Sequence, residues 1–213
     1  GIDLDRFAQT ITDETRLFLL CNPHNPVGRV WTRDELLMMA ESCLHHDTII
    51  CSDEIHCDLI YNGHRHIPIA SLSPEIEARS ITLMAPSKTF NIAGLDCGFA
   101  VIPNLDLRRA YNLGRGGLAS TPNLLGYVAA QAAYAHGQPW LDALLRYLEG
   151  NRDLVIDYLT TYMPQLQMVR PEGTYLAWID CRAAGLREPP KDFFLSRGRV
   201  AFNAGTDFGP EGE

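Results

Sequence analysis

The sequence predicts an α/β protein, a mostly parallel sheet with flanking helices followed by a smaller α+β region, and three observations predict it. Short apolar runs alternate with amphipathic stretches through the first hundred residues, the pattern of β-α-β units around a parallel sheet. Strand signals fade from Pro122 onward, where longer stretches with helical periodicity take over. A Pro171-Glu-Gly173 turn then separates Met168-Val-Arg170 from the β-prone run 174–179, which reads as a hairpin.

The strands expected are 17–21, 48–52 and 81–85. Between the first two lies Thr32-Arg-Asp-Glu35, in which Thr32 can cap a helix and Glu35 can reach back to close a capping box; Leu36, Leu37, Met39 and Ala40 come next. That segment is expected to be a surface helix joining parallel strands. Residues 124–135 and 140–162 read as two long helices broken by Gly137, Gln138 and Pro139. The second is long enough to join one domain to another, so the expected division is 1–135 and 136–213.

Composition sets bounds on function. Of the 213 residues, 46% are hydrophobic and 21% charged, as in a globular protein that can bury a core. A net charge of -8 argues against an electrostatic grip on nucleic acid or on an anionic membrane, both of which need clustered Lys and Arg. No apolar run approaches the roughly 18 residues needed to cross a bilayer. The opening Gly-Ile-Asp-Leu-Asp has neither part of a signal peptide, so a cytoplasmic location is expected. Six cysteines lack paired C-x-x-C spacing and read as reduced and mostly buried, with no metal site.

The loops at the strand ends are more informative. Asn22-Pro-His-Asn-Pro-Val-Gly28 comes after the first strand, Asp53-Glu-Ile-His56 after the second, and Pro86-Ser-Lys88-Thr-Phe-Asn91 after the third. Ligands of open α/β sheets bind outside the carboxyl ends of parallel strands, so the three loops are expected to line one crevice. A lysine amine can form a Schiff base with the aldehyde of pyridoxal phosphate, and a carboxylate beside the pyridine nitrogen keeps that nitrogen protonated. An asparagine amide can donate to the ring's phenolate oxygen. The roles read from the residues are Lys88 as anchor and base, Asp53 as pyridinium partner and Asn25 as phenolate donor. Singly, each has a plainer reading: a solvated surface lysine, a helix-capping aspartate, a turn. Their combination, in order and each at a strand end, is what carries the signal.

These motifs resemble fold-type I pyridoxal-phosphate enzymes of the class I and II aminotransferase superfamily. Ser52-Asp-Glu-Ile-His-Cys-Asp-Leu59 and Ser87-Lys-Thr-Phe-Asn-Ile-Ala-Gly-Leu95 look most like the MalY/PatB branch of cystathionine β-lyases. The resemblance extends to Pro171-Glu-Gly-Thr-Tyr-Leu-Ala-Trp-Ile179. It implies a pyridoxal 5'-phosphate cofactor, Lys88 as the Schiff-base lysine, Asp53 as the pyridinium carboxylate and Asn25 as the phenolate ligand. His56 stands where many relatives place a tyrosine that touches the same oxygen, and is either that ligand or a packed core histidine. Ser87 is implied as a phosphate contact. The resemblance further implies a homodimer, with 114–122 a candidate for reaching the neighbouring site or simply a glycine-rich loop.

Two departures from the family pattern stand out. Aspartate-type aminotransferases carry a phosphate-binding arginine eight positions after the lysine, where this chain has Asp96; that favours the lyase branch. Family members also have a segment before the stretch that begins here and continue beyond the Phe208-Gly-Pro-Glu-Gly212 region. The chain therefore reads as a C-terminal part of the large domain with an incomplete small domain, inactive alone and a weak binder of the cofactor. Three functions are open to it: a carbon–sulfur β-lyase acting on sulfur amino acids, a class I/II aminotransferase, or a pyridoxal-binding regulatory or interaction protein.

Overall fold

The computed structural model describes residues 2–117, 121–209 and 212. They form two compact units, Gly1–Glu149 with Pro171–Leu176, and Gly150–Arg170 with Ala177–Glu213. In the first unit the order is α1 (Leu4–Thr10), β1 (Leu17–Cys21), α2 (Arg33–His45), β2 (Ile49–Asp53), α3 (Pro74–Ala78), β3 (Ser80–Met84), α4 (Pro86–Thr89), β4 (Phe99–Val101), α5 (Leu105–Arg115) and α6 (Leu124–His136). The long helix α7 (Gln138–Tyr162) starts there and ends in the second unit. The second unit also holds β5 (Gln167–Met168), β6 (Ile179–Asp180) and α8 (Pro190–Phe193).

Among the described residues the first unit contains a four-stranded sheet in the order β1-β2-β3-β4. The first three strands are parallel, with Leu17 opposite Ile49 and Cys51 opposite Ile81, and β4 closes the edge antiparallel to β3. The three expected strands are present to within one residue at each end; β4, only three residues long, has no sequence signal strong enough to announce it. Helix α6 matches the expected range within a residue. Helix α7 begins at Gln138, because Pro139 near the first turn lacks only an N–H that has no intrahelical acceptor there.

Side chains alternate across a strand, so Leu20, Ile50, Ser52 and Thr82 share one face of the sheet. Leu17, Leu19, Cys51 and Asp53 share the other. The first face packs on α2, whose Leu36, Met39, Ala40 and Cys43 recur at helical spacing and are fully buried against Leu20, Ile50, Ile69 and Ile76. The opposite face is open at β1, where Leu17 is 48% and Leu19 is 70% exposed.

The capping box read from the sequence is present. Thr32 Oγ1 accepts from the Glu35 N–H at 3.3 Å, and Glu35 Oε2 accepts from the Thr32 N–H at 3.0 Å. Arg29 pairs with the same glutamate and lies over the Trp31 ring at 4.7 Å. The Trp31 ring N–H donates to the Cys21 carbonyl at 2.8 Å, tying the start of α2 to the end of β1. The six cysteines are free, with Cys43 and Cys97 buried and the others half-buried.

In the second unit β5 and β6 pair antiparallel, Met168 with Ile179, so the expected hairpin pairing is present, but its strands are joined by the longer stretch 169–178 instead of by a turn at Pro171–Gly173. The strand expected over 174–179 is confined to Ile179–Asp180. Residues Pro171–Leu176 leave the second unit and belong to the first, where loop backbones supply the hydrogen bonds that a β partner would have supplied.

Thr32→Ala should lower stability by about 1 kcal/mol by leaving first-turn N–H groups unmet. Thermal denaturation checks it, with a Tm drop of about 2–4 °C expected for a chain this size and an unchanged Tm counting against the cap.

Candidate active site

Register brings the three motif loops to one edge of the sheet. Cys21, Asp53 and Leu83 lie side by side across the parallel strands. The bonding continues one step past the strand ends, with Asn22 N–H donating to the Asp53 carbonyl and Glu54 N–H to the Leu83 carbonyl, both at 2.9 Å. The loops beginning at Asn22, Glu54 and Ala85 therefore leave the sheet level with one another.

Asp53 and Glu54 are adjacent acids with different fates. Asp53 is half-buried on the open face, and its Oδ1 accepts only from the Ile55 N–H, at 3.2 Å, among the described contacts. Glu54 turns to the packed face and is 1% exposed. Its carboxylate accepts from Ser52 Oγ at 2.8 Å and from the Ile69 N–H at 3.3 Å, and it pairs with His66 Nε2 at 2.7 Å. Buried charge is tolerated when paired and hydrogen-bonded, so Glu54 is committed to the fold and Asp53 is left to the site.

His56 is 3% exposed, and the charges of Lys88 and Asp53 both bear on it. Burial pushes its imidazole below the ordinary histidine value; the Lys88 charge pushes the same way and the Asp53 charge opposes. Its Nδ1 is buried without a hydrogen-bond partner among the described residues. Lys88 is half-buried in the short helix α4, beside half-buried Ser87. The next residue, Thr89, is fully buried and donates to Asp58 Oδ2 at 2.9 Å, which locks the lysine-bearing turn to the His56 loop.

Asn25 sits exposed on its loop, its backbone N–H donating to Cys21 Sγ at 3.3 Å. Asp96, eight positions after Lys88, is exposed in the left-handed region at φ 49°. Residues 118–120, within the glycine-rich stretch singled out in the sequence, lie outside the described residues.

Sequence reasoning missed Tyr175, whose ring lies 5.5 Å from that of His56, because it assigned 171–179 to a hairpin elsewhere. The Pro-x-Gly turn flanked by Tyr was the available signal. An amine, a free carboxylate and a buried imidazole with an unmatched nitrogen fit a pyridine ring bearing an aldehyde and a phenolic oxygen. The group that fits is pyridoxal phosphate.

The comparisons agree in kind. The model of the family "Aminotransferase class I and II" matches residues 1–205. Cystathionine beta-lyase PatB of Bacillus subtilis is 43% identical over 217 residues, covering all of this chain and 56% of that protein. Protein MalY of Escherichia coli is 38% identical over 203 residues, covering 93% of this chain and 51% of that protein. The crystal structure of cystalysin from Treponema denticola, which contains a pyridoxal 5'-phosphate cofactor, superposes with a TM-score of 0.95 at 35% identity, over all of this chain and 55% of that one. The chain spans about half the length of the curated relatives it matches. With most of its length matched by that model, the chain belongs to the class I and II aminotransferase family.

Proposed function

We propose that the protein to which this chain belongs is a pyridoxal-phosphate-dependent carbon–sulfur β-lyase acting on sulfur amino acids of the cystathionine type. The observation that carries this reading is the level ending of the parallel strands, from which the loops bearing Asn25, buried His56 and Lys88 leave one edge of the sheet beside Asp53. The name of cystathionine beta-lyase PatB supports the reaction, and the cystalysin structure supports the cofactor. On this reading residues 1–135 belong to the large cofactor-binding domain and 136–213 to the linking helix and small domain. The whole protein is a homodimer that works in the cytoplasm.

When bound, pyridoxal phosphate supplies an electron-withdrawing ring that takes up charge left on the amino acid's α-carbon. Lys88 anchors the cofactor and, as general base, removes the α-proton. Asp53 holds a proton on the ring nitrogen through its negative charge. Asn25 donates an amide N–H to the ring oxygen, and the unmatched Nδ1 of His56 offers a second polar contact there. Ser87 offers a hydroxyl to the phosphate.

Transamination is the second reading, favoured by the family description itself; it shares the proton removal by Lys88 and differs in that the proton is returned to the cofactor's carbon and no β-substituent is lost. With the full-length protein, cystathionine and water should yield the thiol homocysteine, pyruvate and ammonia. Lys88→Ala should lower the rate by about 10²–10⁴-fold and abolish the visible absorbance of bound pyridoxal phosphate. Rapid amino transfer to a 2-oxo acid without thiol release would make the protein an aminotransferase instead. A protein that never develops the absorbance would be left as an interaction protein.

The depressed His56 also sets a pH dependence. An unfolded histidine titrates near about 6.5. Below that value the unfolded chain takes up a proton that the folded chain still refuses, so this contribution to stability is complete above it and is lost as pH falls through it. Tm should fall between about pH 7 and pH 5, and less steeply in His56→Gln. Identical slopes for the two proteins would count against a buried neutral His56.

A further inference from the structure

We propose that Tyr175 is a positioning residue that acts through His56, held against the imidazole by a strap formed by Pro171–Thr174. The proposal deepens the β-lyase reading and rests on it for the use to which His56 is put.

The strap is fixed from both sides by loops of the candidate site. The Gly28 carbonyl, at the end of the Asn25 loop, accepts from the N–H groups of both Glu172 and Gly173, at 2.8 and 2.9 Å. Glu172 Oε2 accepts from the Val30 N–H at 2.8 Å. On the other side, Tyr61 N–H donates to the Glu172 carbonyl at 2.9 Å and Thr174 N–H to the Leu59 carbonyl at 2.7 Å. The Tyr61 hydroxyl donates to the Thr174 carbonyl at 2.6 Å.

The approach leaves no room for larger residues. Gly28 has φ +71°, and a Cβ there would stand 2.7 Å from both the Gly173 carbonyl oxygen and Pro171 Cβ. A Cβ on Gly173 would stand 2.7 Å from the Leu59 carbonyl oxygen. Thr174 is fully buried in the left-handed region at φ 66°, a conformation that costs a β-branched residue and persists where surrounding contacts over-determine it. Its Oγ1 accepts from the Leu176 N–H at 3.2 Å, fixing the chain direction on both sides of Tyr175.

So constrained, Tyr175 puts its ring beside His56 with the planes inclined by 67°, an edge-on arrangement. Tyr175 itself is 43% exposed while His56 is 3% exposed. Of the two packed rings the tyrosine is the one that reaches the surface, and the charged groups that bear on His56 are Lys88 from α4 and Asp53 from β2. Removing the ring admits water to His56 and frees the imidazole to turn, while the strap and the core stay in place.

The test compares Tyr175→Ala, Tyr175→Phe and a core control, Met39→Ala, in two measurements. In this chain without cofactor, NMR titration of the His56 ring protons should show its midpoint rising by about half a unit or more toward the ordinary value in Tyr175→Ala. Tyr175→Phe should keep the wild-type midpoint, and so should Met39→Ala despite a lower Tm. In the full-length protein, the pH at which the absorbance of bound pyridoxal phosphate changes should move in Tyr175→Ala only. An unmoved His56 midpoint in Tyr175→Ala overturns the proposal, as does a midpoint that moves equally in Met39→Ala. Absence of any cofactor absorbance in the wild type would sink the enzymatic reading, and the cofactor-free titration would still decide whether Tyr175 governs His56.

Discussion

Partner residues of neighbouring strands in a sheet sit about 4.8 Å apart. With Cys21 level with Asp53 and Asp53 level with Leu83, three loops depart within about two strand spacings of one another. Everything proposed for the site depends on that level ending. A slip of one residue in β2 would turn Asp53 to the packed face and bring Glu54 to the open one. Register is protected against such a slip because the packed face has no room for error: Ile50 is fully buried against Met39 and Leu36, and Ser52 is committed to Glu54.

Level strand ends alone do not shape a site, since loops are free to splay. Here they are tied by side chains that take no direct part in the proposed chemistry. Thr89 to Asp58 joins the lysine turn to the His56 loop, and Trp31 to Cys21 joins the Asn25 loop to the end of β1. The strap from Glu172 to Thr174 joins the Asn25 loop to the His56 loop. These ties use buried donors and acceptors, for which the alternative to pairing is an unmet polar group at a cost of about 1–3 kcal/mol.

Elements whose signal is local were legible in the sequence. The strands showed as apolar runs, α2 as a capping box with apolar positions at helical spacing behind it, and α6 and α7 as long periodic stretches. Asn25, Asp53, His56 and Lys88 stood out as candidates because each lies at the end of a strand or within four residues after it. The part that stayed illegible is decided by tertiary contact alone. Residues 171–176 have the composition of a hairpin, yet the Gly28 and Leu59 carbonyls compete successfully for their N–H groups, and no local pattern announces partners more than a hundred residues away. Short β4 exists because β3 offers it an edge.

His56 had two readings in the sequence, a cofactor contact or a packed core histidine, and its burial and charge environment belong to both. At 3% exposure it is a core residue by packing, while its unmatched Nδ1 and the Lys88 and Asp53 charges that bear on it suit the role proposed for it at the site. The two charges act on it in opposite directions, so burial decides the outcome and favours the neutral ring. A neutral imidazole can hydrogen-bond to a ring oxygen without placing a second positive charge beside Lys88, where like charges would repel. On the proposed function, core packing is the means by which the residue serves the site: the same exclusion of water that makes His56 part of the interior favours its uncharged form under the influence of the Lys88 amine.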